Sequence, residues 1–398
     1  MTPCSILAQR LHGLVIFRNF LKLPASVDLL KLLSSSHEDS NRDLDLYAEF
    51  CCELFSTTEN WSRWLLDFVL KDENIYTKSA IDPHSSPSPE LEKCLARELK
   101  LLEQLSRLSS EEILKEMKTA EPLPQWTTES IDFSAQYRQR IAEIPRKGFG
   151  IFAQYHVFVL NEEGVLVPVR HPDPQKLSQL YGYEKERSKI IQNTKALLEG
   201  RPANNVLLYG DAGTGKSSTV KAIANTYCSQ GLRLVEIKKT QLYLIPSLLD
   251  SLANNPLKFI LFIDDLCFNP NDNDFSALKA ILEGSVTGRG HNTLIYATSN
   301  HRHMVKETFS ERQGDDVHIS DTLQEIISLS ARFGLTVTFS RPEKEQYSEI
   351  VLKLAEQYSI EEEPSELLRR AEAYAIRSGG RNPRVAKQFV EGVKAGIH

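Results

Sequence analysis

The chain has 398 residues, of which 41% are hydrophobic and 25% charged, and its 47 basic and 53 acidic side chains leave a net charge of −6. That is enough apolar material for two or three packed domains and too much for wholesale disorder. The sign is wrong for a protein that coats nucleic acid by bulk charge, although a local basic face remains open. No apolar run approaches the roughly 18–20 residues that cross a bilayer. Met1-Thr2-Pro3-Cys4 does not lead through a cationic region into an apolar core with a small-residue cleavage site. The six cysteines (Cys4, Cys51, Cys52, Cys94, Cys228, Cys267) contain no CxxC pair and no partnering His spacing. They read as reduced thiols, so the expectation is a cytoplasmic protein without disulfide framework, zinc module or membrane contact.

Roughly the first 125 residues read as helical. Leu46, Phe50 and Leu54 recur at helical spacing, and Trp64, Leu65, Phe68 and Val69 continue the pattern. Asp82-Pro83-His84-Ser85-Ser86-Pro87-Ser88-Pro89 breaks it, and Ser88-Pro89-Glu90 can open the next helix with proline in its first turn. That helix carries Leu91, Leu95, Leu99 and Leu102, and a second follows Ser109-Ser110-Glu111-Glu112. The character changes at Gly148-Phe149-Gly150: the β-prone runs Ile151 to Leu160 and Val165 to Val169, around a polar loop ending in Gly164, predict a hairpin. His171-Pro172-Asp173-Pro174 closes it. From Gln175 helices and strands alternate, which predicts an α/β domain with a parallel sheet. Its strands are Val206–Tyr209, Leu232–Ile237, Phe259–Ile263, Thr293–Thr298 and Leu335–Phe339. Beyond Arg341-Pro342 the chain turns helical to its end. The predicted division is 1–147 helical, 148–174 hairpin and linker, 175–340 nucleotide-binding, and 341–398 a helical lid.

Gly210-Asp211-Ala212-Gly213-Thr214-Gly215-Lys216-Ser217 satisfies GxxxxGK[ST] between a strand and a helix that runs on from Ser218. The glycines let successive N–H groups curl around one phosphate, and the helix start adds its positive dipole end. Gly210 through Ser218 are therefore the candidate phosphate-binding residues. Lys216 supplies a point charge to the β and γ phosphates, and Ser217 can ligate Mg²⁺. A strand buried on both faces has little reason to end in two carboxylates, yet Phe259-Ile260-Leu261-Phe262-Ile263 runs into Asp264-Asp265. Asp264 fits as the Mg²⁺ partner and Asp265 as the group that polarises an attacking water. Asn300, ending the strand from Thr293, can reach the γ-phosphate or that water if the strands are neighbours; otherwise it is a turn residue. Arg332 is the candidate arginine finger, with a surface ion pair as its alternative. Arg384 can reach the nucleotide from the lid, with Arg381 as competitor.

With these five elements in order, the chain resembles the AAA+ ATPases. More narrowly it is similar to an uncharacterised bacterial family of predicted ATP-binding proteins, the domain of unknown function eight-fifteen. The likeness rests on Tyr181-Gly182-Tyr183-Glu184, Pro202-Ala203-Asn204-Asn205 with the strand to Gly210, Ile263-Asp264-Asp265-Leu266, Ala297 to His303 and Arg332-Phe333-Gly334-Leu335, and spans about Gly148 to the C-terminus. In AAA+ terms the phosphate loop is Walker A, Phe259–Asp265 is Walker B, Asn300 is sensor one, Arg332 the finger and Arg384 sensor two. Most AAA+ proteins end Walker B in Asp-Glu. The Asp264-Asp265 pair is that of the replication initiator and helicase-loader branch, and its shorter second carboxylate suggests slow, switch-like hydrolysis.

The resemblance implies an α/β P-loop NTPase (AAA+) parallel sheet flanked by helices, with a C-terminal helical lid and a mostly helical N-terminal domain. It also implies ATP and Mg²⁺ as cofactors, a homo-oligomer with Arg332 acting in trans, and the Tyr181–Tyr183 stretch, Tyr183 included, bordering the adenine. An unknown protein partner would bind through the N-terminal region. The leading function is an ATP-driven switch or remodeller. A helicase-loader-like, DNA-linked ATPase is the alternative; Lys238-Lys239 and His301-Arg302-His303 are local basic spots, each equally readable as solvated surface. A third reading is an ATP-binding scaffold that does not turn over.

Overall fold

The computed structural model describes residues 3–35, 37, 39–81, 86–117, 122–266, 278–279, 281–282, 292–300 and 331–397. Cys267, His301-Arg302-His303 and the first part of the proline-rich break lie outside these residues. The chain divides into two compact units, Met1–Ala153 and Gln154–His398.

The first unit is helical among its described residues. It contains α1 (Pro3–Leu11), α2 (Pro24–Leu33), α3 (Ser40–Phe55), α4 (Trp61–Lys71), α5 (Ile75–Ile81), α6 (Pro89–Ser106), α7 (Ser110–Met117), α8 (Phe133–Lys147) and the short α9 (Ile151–Gln154) at the boundary. Polar side chains mark where helices start: Asp39, Asn60, Ser88 and Asp132 each accept a backbone N–H from the first turn. Tyr47, Phe50, Trp61 and Trp126 form an aromatic core with ring centroids 5.0–5.5 Å apart. Both indoles find carbonyls, Trp61 Nε1 donating to Leu105 O at 2.9 Å and Trp126 Nε1 to Leu108 O at 3.0 Å. The carboxylate of Glu98, buried at 1% exposure, accepts the N–H groups of Val15, Ile16 and Phe17 at 2.7, 3.0 and 3.1 Å. It thereby satisfies three consecutive N–H groups between α1 and α2.

The second unit is built on a seven-stranded sheet. Its strands are β1 (Val157–Leu160), β2 (Leu166–Pro168), β3 (Val206–Gly210), β4 (Leu232–Glu236), β5 (Lys258–Ile263), β6 (Thr293–Ser299) and β7 (Leu335–Phe339), in the order β2-β1-β4-β5-β6-β3-β7. Every neighbouring pair is parallel except β1 with β2. Phe259 to Ile263 are wholly buried, as a central strand covered on both faces must be. Helices α10 (Glu184–Leu198), α11 (Lys216–Tyr227) and α12 (Ile245–Leu252) belong to this layer. The expected hairpin is not a separate linker element, because β1 pairs with β4 and extends the sheet. Its first strand is also shorter than the sequence run: Ile151 to Gln154 turn into helix, following two glycines at positive φ (73° and 54°), and the strand begins only at Val157.

After Arg341 come α13 (Lys344–Gln357), α14 (Pro364–Arg377) and α15 (Pro383–Lys394), which share a core of their own around Tyr347, Ile350, Leu354, Leu367, Ala371, Phe389 and Val390. Asn382 caps α15 by accepting the Val385 N–H at 2.9 Å. Among the described residues no helix is long and apolar enough to cross a membrane, and the five described cysteines are free thiols.

Candidate functional site

Three neighbouring strands deliver the polar groups of the site from their carboxyl ends. β3 ends at Gly210, β5 runs into Asp264 and Asp265, and β6 runs into Asn300, with β6 lying between the other two. Loops leaving the carboxyl edge of a parallel sheet are where such folds bind ligands. A cavity of about 880 Å³ opens there, lined by Ala212 to Ser218, Asp264, Asp265, Thr298 and Asn300. The segment Asp173–Tyr181 and the lid residues Ile350, Leu354, Gln357, Tyr358, Arg384 and Lys387 complete its walls.

The phosphate loop takes its shape from close approaches that only glycine allows. Gly210 has φ 132°, and a Cβ there would stand 2.2 Å from Phe339 O of β7. Gly213 has φ 78°, and its Cβ would stand 2.7 Å from Asn382 Oδ1 of the lid. Two further contacts tie the loop to the lid side: the Arg384 N–H donates to Gly213 O at 3.1 Å, and the Arg341 N–H donates to Asp211 Oδ2 at 2.9 Å. Thr214 Oγ1 donates to Asp211 O at 2.8 Å, closing the loop on itself.

Lys216 opens α11 and is buried, with its ammonium donating to Gly210 O and Asp211 O at 2.8 Å and to Asn300 Oδ1 at 2.9 Å. Burial lowers its pKa from the ordinary 10.5; Asp211, Asp265 and Asp264 oppose that shift and Arg384 adds to it. The Asn300 amide donates in turn to Asp265 Oδ1 at 2.7 Å, so Asn300 bridges the lysine and the second carboxylate. Asp264 Oδ1 accepts from Ser217 Oγ at 2.6 Å and from Thr298 Oγ1 at 2.5 Å. Asp265 sits in left-handed backbone at φ 52°, and its N–H donates to Thr298 Oγ1 at 2.9 Å.

The donor set suits Mg²⁺. At Mg–O distances of about 2.0–2.1 Å, adjacent ligands of an octahedron stand about 2.9 Å apart. The hydroxyl and carboxylate oxygens of Ser217 and Asp264 need to part by only a few tenths of an ångström to reach that spacing.

The structure separates the sequence candidates. Ala212, Gly213, Thr214, Gly215, Lys216, Ser217, Ser218, Asp264, Asp265, Asn300 and Arg384 share the cavity, while Gly210 and Asp211 are outside its lining and hold the Lys216 ammonium by their carbonyls. Arg381 is held by Glu372 at 3.0 Å from its Nε, which leaves Arg384 as the arginine of that pair on the cavity wall. Tyr183 is not placed as expected. It is 5% exposed, packs on Phe339 at 5.2 Å between centroids and donates its hydroxyl to Ser340 O at 2.6 Å. The physical reason is backbone: Gly182 and Tyr183 both have positive φ (72° and 61°), which turns Tyr183 inward and leaves Tyr181 on the cavity wall. Arg332 also lies away from the cavity. It precedes β7 at the end where Leu335 pairs with Val206, whereas the cavity is at the end where Phe339 pairs with Gly210. At roughly 3.3 Å per residue that strand is about 15 Å long.

Tyr181, from the stretch expected beside the adenine, is joined there by Leu180, Ile350, Leu354 and Tyr358, which were not distinguishable beforehand because they come from segments far apart in sequence. Thr298 was hidden differently: threonine is an ordinary residue in a buried strand.

Known proteins resemble the chain in part. A 65-residue stretch is 38% identical to the replication factor C large subunit of Staphylothermus marinus, covering 16% of this chain and 15% of that protein. The RuvB Holliday junction branch migration motor of Thermotoga maritima is similar with a TM-score of 0.38 at 20% identity, over 56% of this chain and 65% of that one. A point mutant of the same protein gives 0.39 at 18%. The chain thus spans about a seventh of the curated relative and just under two thirds of the matched structures. The family described as "Protein of unknown function (DUF815)" matches residues 153–397. That match covers more than half of the chain and takes in the sheet, the phosphate loop and the C-terminal helices, so the chain belongs to this family.

Proposed function

We propose that this protein is an ATPase that binds ATP with Mg²⁺ and hydrolyses it slowly as an oligomeric cytoplasmic switch, acting on a protein partner held by its N-terminal helical unit. The observation that carries the reading is the convergence of Lys216, Ser217, Asp264, Asp265 and Asn300 on one cavity. Its volume of about 880 Å³ falls within the range of about 300–1,000 Å³ usual for small-molecule sites.

The cavity is polar at the phosphate loop, and Leu180, Tyr181, Ile350 and Leu354 add apolar surface to its other walls among polar side chains such as Gln179 and Gln357, which suits a triphosphate and a base. The N–H groups of Gly213 to Ser217 and the start of α11 cradle phosphate oxygens. Lys216 exchanges the carbonyls of its own loop for the β and γ phosphates. Ser217 and Asp264 hold Mg²⁺, which when bound neutralises charge on the phosphate oxygens. Asp265, aligned by the Asn300 amide at 2.7 Å, orients the attacking water and accepts its proton. Arg384 approaches the phosphates from the lid, and Tyr181 with Ile350 and Leu354 receives the base.

Arg332 lies too far from its own cavity to serve it, so we assign it to the site of a neighbouring subunit. The test is Mg²⁺-dependent ATP hydrolysis per subunit over a wide range of protein concentration. The rate should climb with concentration. Arg332→Ala and Lys216→Ala should each be inactive alone and partly active when mixed, since one interface then carries an intact finger and an intact lysine. A rate independent of concentration, or no recovery on mixing, overturns the shared site.

A further inference from the structure

Thr298 makes contacts that its place in a buried strand does not require. It is 2% exposed near the end of β6, next to β5, whose last residue Ile263 pairs with Ala297. Its hydroxyl has a single proton. Asp265 N–H at 2.9 Å can only donate to it, so that proton goes to the nearby carboxylate oxygen, Asp264 Oδ1 at 2.5 Å. Its carbonyl accepts the Leu266 N–H at 2.7 Å. One residue therefore clasps three consecutive residues of the turn after β5: Asp264 by its carboxylate, Asp265 and Leu266 by their backbones.

We infer that Thr298 is a positioning residue for the divalent cation, fixing the Asp264 carboxylate through its hydroxyl. The inference rests on the ATP–Mg²⁺ reading. Among the described residues Ser217 is the other side-chain donor to Asp264 Oδ1. A cation ligated by both residues takes the Ser217 oxygen for itself, so the Ser217 proton can no longer hold the carboxylate. Thr298, on the strand behind, keeps its grip whether or not the cation is there. Without it the carboxylate is left to the Asp265 N–H, which already lies 3.1 Å from Oδ1, and turns back on its own loop away from the cation. Groups that orient a metal ligand from behind usually account for about 10–100-fold in metal affinity.

The experiment titrates Mg²⁺ into the full chain with a fluorescent ATP analogue, beginning in EDTA. Wild type should bind more tightly as Mg²⁺ rises, with a definable half-saturating concentration. In Thr298→Val, which keeps shape and removes the hydroxyl, half-saturating Mg²⁺ should rise about tenfold or more. Thr298→Ser should restore it to within about threefold. A general loss of packing would instead weaken binding with and without Mg²⁺ alike, and the serine would not rescue it. If the valine variant does not fold, Thr298→Cys, similar in size and a weak donor, carries the same expectation. Equal Mg²⁺ dependence in wild type and the hydroxyl-free variant overturns the role of Thr298 alone. Binding in wild type that ignores Mg²⁺, or no binding at all, overturns the ATP–Mg²⁺ reading and this inference with it.

Discussion

Replacing Gly213 by alanine tests how the phosphate loop and the lid fit together. Gly213 has φ 78°, where an alanine costs about 1–2 kcal/mol through its Cβ. That Cβ would also stand 2.7 Å from Asn382 Oδ1, the atom that caps α15 by accepting the Val385 N–H at 2.9 Å. The amide must move, and losing such a cap costs about 1 kcal/mol. The single substitution should therefore destabilise the second unit by about 2–3 kcal/mol. In an Asn382→Ala background the cap is already gone, and the same change should cost only the backbone strain. A double-mutant cycle then shows a coupling of about 1 kcal/mol, well above the 0.3–0.5 kcal/mol within which independent sites add. The probe matters, because the three tryptophans, Trp61, Trp64 and Trp126, all lie in the first unit. Urea unfolding followed by far-ultraviolet circular dichroism sees both units, while tryptophan fluorescence isolates the first, whose midpoint should not move. Strict additivity of the two substitutions would refute the clash with the cap.

Other consequences are as direct. Glu98→Ala strips three backbone N–H groups of their acceptor at a site 1% exposed. Two of them, at Ile16 and Phe17, are buried, and at about 1–3 kcal/mol for each buried group left unpaired the first unit should lose about 2 kcal/mol or more, read as a lower urea midpoint of tryptophan fluorescence. Tyr181→Ala should weaken binding of the ATP analogue with little change in stability. Tyr183→Ala should destabilise the second unit by about 3–5 kcal/mol, the usual cost of emptying a buried aromatic position, and the opposite pattern would return Tyr183 to the cavity. The hydrogen bond from Arg381 holds the Glu372 carboxyl below its ordinary 4.5. A depressed carboxylate stabilises above its unfolded pKa and loses that contribution as pH falls through the folded value. The difference in unfolding midpoint between wild type and Glu372→Gln should therefore shrink from pH 5 towards pH 3, and a constant difference would deny the ion pair a role.

What the sequence disclosed and what it hid follow from the range of the forces involved. The β5 run and the phosphate loop were readable because each is local: one is an unbroken apolar stretch, the other a glycine pattern between a strand and a helix. The placement of β1 was not, because pairing with β4 across more than seventy residues leaves no mark in either strand. Tyr181 and Tyr183 are interchangeable on paper. Consecutive positive φ values at Gly182 and Tyr183 decide which ring faces the core, and a non-glycine residue in that region is not foreseeable from composition. Asn300 could be brought to the γ-phosphate or the attacking water only on the assumption that β5 and β6 are neighbours, and the register Ile263 to Ala297 supplies that adjacency.

Among the described residues two hydrogen bonds join the phosphate loop to the lid, and their donors belong to the main chain, at Arg341 and Arg384. Such a tether is indifferent to which side chain occupies either position. The side chain of residue 384 is thus free to change with the chemistry at the cavity while the mechanical link persists, and only proline, which has no N–H to give, can cut it from the lid side. On the loop side the two links differ: Gly213 offers a carbonyl that every residue possesses, whereas Asp211 offers a carboxylate that can be lost. Evolution can therefore loosen the hinge at Asp211 without touching the attachment at Gly213, which makes the stiffness of the lid adjustable separately from its position.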